Sequence, residues 1–169
     1  MFEEFFGSKS LDVVKGVEIG MELERKSIEY YSGKARKIEN KELAELLRFI
    51  AKEESNHLKQ LESLRRSLAK NKMWISAEKL GKPKGPELYS EGVSPMISED
   101  SGDVGIMLGA IRAEEEAREF YEEFSRRIKD ENGRKFFQRL VEFEQSHYDL
   151  FDGILRASEV RVEGGELLQ

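Results

Sequence analysis

The chain has 169 residues, no cysteine, a formal net charge of −6 and 37% charged residues. That length is enough for one domain with a real core, and the missing cysteines exclude disulfides, cysteine zinc sites and thiol nucleophiles, as fits a reducing cytoplasm. Interspersed charges argue against a nucleic-acid stripe, no run approaches the ~18 apolar residues of a membrane span, and MFEEFFGSKS is too acidic and too poor in apolar residues for a signal peptide.

Phe2, Phe5 and Phe6 come first, and they either cap the end of a helical bundle or make a subunit contact. Apolar spacing of alternately three and four residues then predicts a helix over 10–39, with Val14, Val17, Met21, Ile28, Tyr31, Ala35 and Ile38 on its stripe. A second helix is expected over 41–70, carrying Leu43, Leu47, Ile50, Leu61, Leu64 and Leu68, with Asn40 as its N-cap. Residues 71–103 hold all three prolines, Pro83, Pro86 and Pro95, and several glycines, so they cannot form a core helix. A structureless loop of that length is unusual inside a domain. Its natural use is a crossover along the bundle, with Trp74 and Tyr89 to pin it down. A third helix is expected over 103–129, on Val104, Met107, Ile111, Tyr121 and Ile128, and a fourth over 131–157, on Phe137, Leu140, Phe151 and Ile154, behind the N-cap Asp130. Residues 158–169 are read as a short tail. Connections of one or two residues within each pair make the paired helices antiparallel neighbours.

The two pairs are one pattern used twice. A shift of ninety residues carries Glu24 to Glu114, Tyr31 to Tyr121, Asn40 to Asp130, Glu54 to Glu144 and His57 to His147. The chain is therefore read as a single all-α domain: a hairpin repeat over 10–70, the crossover over 71–103 and a second hairpin repeat over 103–157. Two hairpins joined by one long connection make a ferritin-like antiparallel four-helix bundle.

The apolar stripes are interrupted at one depth. Glu24 lies sixteen residues before Asn40, and Glu54 and His57 lie fourteen and seventeen after it. At ~1.5 Å per residue these positions are level, and the second hairpin repeats the arithmetic about Asp130. Glu24, Glu54, His57, Glu114, Glu144 and His147 are thus expected to meet inside the bundle. Four unpaired buried carboxylates would cost several kcal/mol each, on the order of what proteins avoid, whereas two divalent cations cancel their charge. A Glu from each of two helices and a Glu-x-x-His from each of the other two is the ligand set of dinuclear carboxylate bundles. A single Glu-x-x-His says little in so charged a chain; the duplicated six carry the argument, against a decayed repeat that kept the residues without metal. Tyr31 and Tyr121 are either phenols bonded to a ligand carboxylate on another helix or aromatic core fillers. Arg118, one turn past Glu114, is read as surface rather than as a partner of the site.

With Glu24-x-x-Ser27 and Tyr31, Glu54-x-x-His57, Glu114-x-x-Ala117 and Tyr121, and Glu144-x-x-His147, residues 10–157 resemble the rubrerythrin-like branch of the ferritin-like di-iron carboxylate superfamily. The resemblance implies that the four glutamates and two histidines bind two iron ions, manganese or zinc being possible for the same donors. It implies a di-iron oxidoreductase that reduces hydrogen peroxide, or handles oxygen, as a homo-oligomer. The alternatives are a ferroxidase or iron-handling protein in a larger assembly and a non-enzymatic, metal-stabilised bundle. Two departures bear on the reaction. Peroxide-reducing rubrerythrins carry a further glutamate where this chain has Ala117. They also carry a cysteine-ligated rubredoxin-type domain, so electrons here are expected from an external donor such as a rubredoxin-like protein.

Overall fold

The structure is a computed structural model, and it describes residues 2–8, 10–83 and 102–165, the side chains of 159–165 excepted. Helix α1 (Glu3–Phe6) is a single turn; α2 (Val13–Ala35), α3 (Lys41–Asn71), α4 (Asp103–Arg127) and α5 (Glu131–Gly165) are long, and a 3-10 turn spans Ala77–Leu80. No strand occurs among the described residues. The fold is all-α and ferritin-like.

Local chemistry sets the helix ends. Asp12 accepts from Lys15 N at 2.9 Å, so α2 begins at Val13 rather than at residue 10. Asn40 accepts from Leu43 N at 3.1 Å and Asp130 from the N–H groups of Asn132 and Gly133, as their N-cap reading expects. Both turns are longer than expected: α2 stops at Ala35, where Lys37 N and Ile38 N both fold back onto Lys34 O, leaving 36–40 between α2 and α3. Residues 128–130 separate α4 from α5. At its far end α5 runs on to Gly165, through residues read as tail, because ASEVRVE contains no breaker before the Gly164–Gly165 pair. Lys72, in the left-handed region at φ 55°, ends α3 with its N–H on Leu68 O.

α2 packs on α3 and α4 on α5, with the two hairpin turns at opposite ends of the bundle. The chain leaves α3 at one end and enters α4 at the other, where Asn40 Nδ2 donates to Asp103 Oδ2 at 3.0 Å. Residues 72–102 are the segment that joins these two ends. Of that segment, residues 84–101 lie outside the described residues, Pro86, Tyr89 and Pro95 among them. Its described start packs well: Trp74 meets the Phe137 ring edge-on at 6.5 Å, and Gly133 leaves room for the indole, since a Cβ there would lie 2.7 Å from it.

The apolar core is in two blocks. One gathers Val17, Met21, Leu61, Leu64, Phe120, Phe124, Phe137 and Leu140. The other gathers Tyr31, Leu43, Leu47, Ile50, Met107, Phe151 and Ile154. Every stripe residue predicted for the second and fourth helices is buried. Phe2, Phe5 and Phe6 close the first block, Phe2 and Phe5 lying 4.8 and 6.2 Å from the Phe120 ring. Ile28, by contrast, is only half-buried, and Ser27 beside it takes the inner position. No helix among the described residues is long and apolar enough to cross a membrane.

Candidate metal centre

Between the two apolar blocks lies a polar layer. Each long helix contributes to it from its middle: Glu24 from α2, Glu54 and His57 from α3, Glu114 from α4, Glu144 and His147 from α5. The three-residue step of Glu-x-x-His sets carboxylate and ring on one face, a turn apart. All six side chains are buried, each at 1–2% exposure, which is rare for glutamate without a partner of opposite charge.

The six form two overlapping groups. Glu24, Glu54, His57 and Glu144 offer four donor atoms within 4.8 Å of one another, and so do Glu54, Glu114, Glu144 and His147. Glu54 and Glu144 belong to both. His57 Nδ1 lies 3.0 Å from Glu54 Oε2 and 3.8 Å from both Glu24 Oε2 and Glu144 Oε1. His147 Nδ1 lies 2.9 Å from Glu54 Oε1 and 3.4 Å from Glu114 Oε2.

Not all of these approaches are hydrogen bonds. Glu54 Oε1, Glu144 Oε1 and His147 Nδ1 are fully buried with no hydrogen-bond partner. His147 Nδ1 and Glu54 Oε1 thus stand 2.9 Å apart without bonding geometry. Three converging buried donor atoms left unsatisfied are costly in a protein core and fit a divalent cation, which takes lone pairs from all of them at once. The donor set, four carboxylates and two imidazoles, suits Fe, Mn or Zn.

Two phenols brace the layer from opposite sides. Tyr121 on α4 donates its one hydroxyl proton to Glu24 Oε1 on α2 at 2.5 Å, with Gly20 O 3.3 Å from the same hydroxyl. Tyr31 on α2 donates to Glu114 Oε1 on α4 through a very short bond. Each tyrosine therefore holds the glutamate of the facing helix. Gly20 makes the Tyr121 approach possible, since a Cβ there would lie 3.0 Å from the ring. Burial pushes both phenols well above their ordinary range, with the carboxylate charges adding to it.

In the absence of a cation the layer collects protons. Burial, then the charge of Glu54, pushes Glu24 from 4.5 up to about 8. Glu144 is raised well above its ordinary range by burial and by the charges of Glu54, Glu24 and Glu114. Burial works against protonated His57, but bonds and charges from Glu24 and Glu54 outweigh it and raise the ring from 6.5 to about 9. His147 is likewise held high against burial, chiefly by Glu54 and Glu114. Glu54 goes the other way: burial would raise it, but the two imidazoles, His147 foremost, hold it well below the usual carboxylate range. Cations entering the layer must displace these protons.

Arg118 is not the free surface residue expected. It lies half-buried across α4 and α5, donating to Gln145 Oε1 at 2.6 Å and resting over the Tyr148 ring at 5.3 Å. Ala117, one turn past Glu114, is buried. A participant that the sequence reading missed is Glu53, whose Oε2 lies 3.0 Å from His147 Nε2. It precedes the stripe position Glu54 by one residue on α3, so it sits on the flank of the helix, and only the placement of α5 makes it a partner. The Glu53-Glu54 pair was the available signal, and it did not say which way the first carboxylate turns.

Residues 106–166 match the family model described as Rubrerythrin. Over that stretch, about a third of its length, the chain is similar to rubrerythrins. The matched stretch holds Glu114, Glu144 and His147, and the first hairpin supplies the other three residues of the layer from outside it. No curated protein and no solved structure matches the chain. The rubrerythrin-type match over this stretch is consistent with a buried carboxylate–histidine layer that could hold metal.

Proposed function

We propose that this chain holds two iron ions in its polar layer and reduces hydrogen peroxide with electrons from an external donor. The observation that carries the reading is the pair of buried four-residue groups sharing Glu54 and Glu144, with three of their donor atoms unsatisfied. Glu54 and Glu144, common to both groups, would hold both ions, and Glu24 with His57, and Glu114 with His147, would hold one each. When bound, two ferrous ions supply one electron apiece, which with two protons take hydrogen peroxide to two waters. The protein's share is to hold the donors in place and exclude water. Tyr121 and Tyr31 fix the outer carboxylates from the facing helix, and the apolar blocks above and below seal the layer. The 169 residues contain no cysteine, hence no cysteine-ligated iron of their own, and the donor is placed outside them.

A second reading has one observation in its favour. Ala117 stands where peroxide-reducing rubrerythrins carry a further glutamate, which favours iron oxidation in an assembly over peroxide reduction. Stopped-flow mixing of the anaerobic, ferrous-loaded protein with peroxide and, separately, with oxygen decides between them. Peroxide reduction requires the faster oxidation with peroxide, because its two-electron demand equals what two ferrous ions give. Faster oxidation by oxygen, with peroxide released, would establish the ferroxidase reading instead.

A further inference from the structure

The ninety-residue repeat matches the layer's own glutamates and histidines, but one position beside the imidazoles differs in chemistry, and the structure turns that into a difference of environment. His147 Nδ1 faces the layer and its Nε2 meets Glu53 Oε2 at 3.0 Å, a carboxylate 13% exposed in its side chain. The ninety-residue shift carries Glu53 to Phe143. Phe143 accordingly lies against the other imidazole, its ring centroid 4.5 Å from that of His57 and tilted by 62°. Among the described residues, the carboxylates within 4 Å of the His57 ring are Glu24, Glu54 and Glu144, all approaching Nδ1. One histidine therefore has a carboxylate on its Nε2, and the other an aromatic ring packed against its own ring.

That difference acts directly on a metal ligand. A carboxylate accepting the Nε2 proton fixes the tautomer with the Nδ1 lone pair facing the layer, holds the ring plane, and makes Nδ1 a stronger donor. A phenyl ring can hold the plane but accepts no such bond. We propose that Glu53 is a positioning residue for His147 that makes the two metal positions unequal, so that the one built on Glu114 and His147 binds a divalent cation more tightly than the one built on Glu24 and His57. This rests on the two-metal reading and adds an order of filling: one position loads first, and the second ion enters beside an occupied neighbour.

Anaerobic titration with cobaltous ion, followed by its visible absorption and by calorimetry, tests the inference without turnover. The unaltered protein should bind in two steps whose affinities differ by about 10–100-fold, the usual range for losing such a partner. Glu53→Gln is isosteric and keeps an acceptor without its charge; it should shrink the gap while leaving the weaker step unchanged. Glu53→Ala should weaken the tighter step further, down to the gap that two like-charged neighbours impose by themselves. Two equal steps in the unaltered protein would overturn the inference, and so would a gap unchanged in both variants, or both steps weakening together as general damage would cause. Failure to bind cobaltous ion at all would instead remove the two-metal reading, and this inference with it.

Discussion

Chelator-treated, metal-free protein should lose stability as pH rises from about 6.5 to about 8. Glu24 carries its proton up to about 8 in the folded chain and only to 4.5 when unfolded. A raised carboxyl of this kind costs the fold nothing at low pH and destabilises it progressively as pH climbs from 4.5 towards 8. His57 is raised from 6.5 to about 9, so its contribution is complete below 6.5 and is lost as pH passes through about 9. The two windows overlap between 6.5 and 8, where the folded chain holds more protons on these two groups than the unfolded chain does, by close to two in the middle of the window and fewer at its edges. At a little over ~1 kcal/mol per proton per pH unit, the slope there is at most about 3 kcal/mol per unit. Each group leans on the other's charge, so the protons are not independent, and a loss of about 2 kcal/mol across the window is the working figure. With a urea dependence of about 2 kcal/mol per molar, the unfolding midpoint should fall by roughly 1 M between pH 6.5 and 8. Urea titration followed by far-ultraviolet circular dichroism measures it. A midpoint that stays constant or rises would mean that the carboxylates and imidazoles are hydrated in the metal-free fold, and would refute the account of the layer as a proton store. Loaded protein should behave differently, because cations replace the protons, and metal affinity should rise with pH over the same window.

Reconstituted protein should hold about two metal ions per chain, as the ligand count implies. Glu144→Ala or His147→Ala should lower that number, and elemental analysis showing unchanged content in both would take α5 out of the site. Gly16→Ala should destabilise by about 1–3 kcal/mol despite a gain of about 1 kcal/mol in helix propensity. Its Cβ would lie 2.2 Å from Phe124, a ring locked between Phe120 and Phe137. Gly109→Ala should be near neutral, because its Cβ meets only the hydroxyl end of half-buried Tyr30, which can swing away for the loss of one bond to Ile106 O, about 1 kcal/mol. Thermal melts of the two variants in the opposite order would show the packing around Phe124 to be looser than described.

Much of the architecture was legible because it rests on periodicity. The second and fourth stripes, from Leu43 to Leu68 and from Phe137 to Ile154, are buried at every predicted position, since a long helix can hide only one face and the apolar residues mark it. The first and third stripes were read less well. Ile28 and Arg118 share a repeat position, and both end up half-buried, as the chemically opposite pair hinted but could not settle. Helix ends followed capping chemistry where a side chain announced it, at Asn40 and Asp130, and departed from expectation where the backbone decided, as at Ala35.

The polar layer itself follows from the order of residues along the chain: six groups at one depth, duplicated at one offset, need only the rise of a helix to be brought level. What the chain alone could not decide is lateral. Whether Tyr121 reaches Glu24 or merely fills space, and whether Glu53 faces water or His147, depends on how far neighbouring helices are rotated about their own axes. That rotation is set by packing of the phenyl rings, glycines and leucines of all four helices together, a property of no single segment. The same rotation brings position 143 against His57 as it brings Glu53 against His147, and because the sequence has Phe there, the two hairpins surround their imidazoles differently.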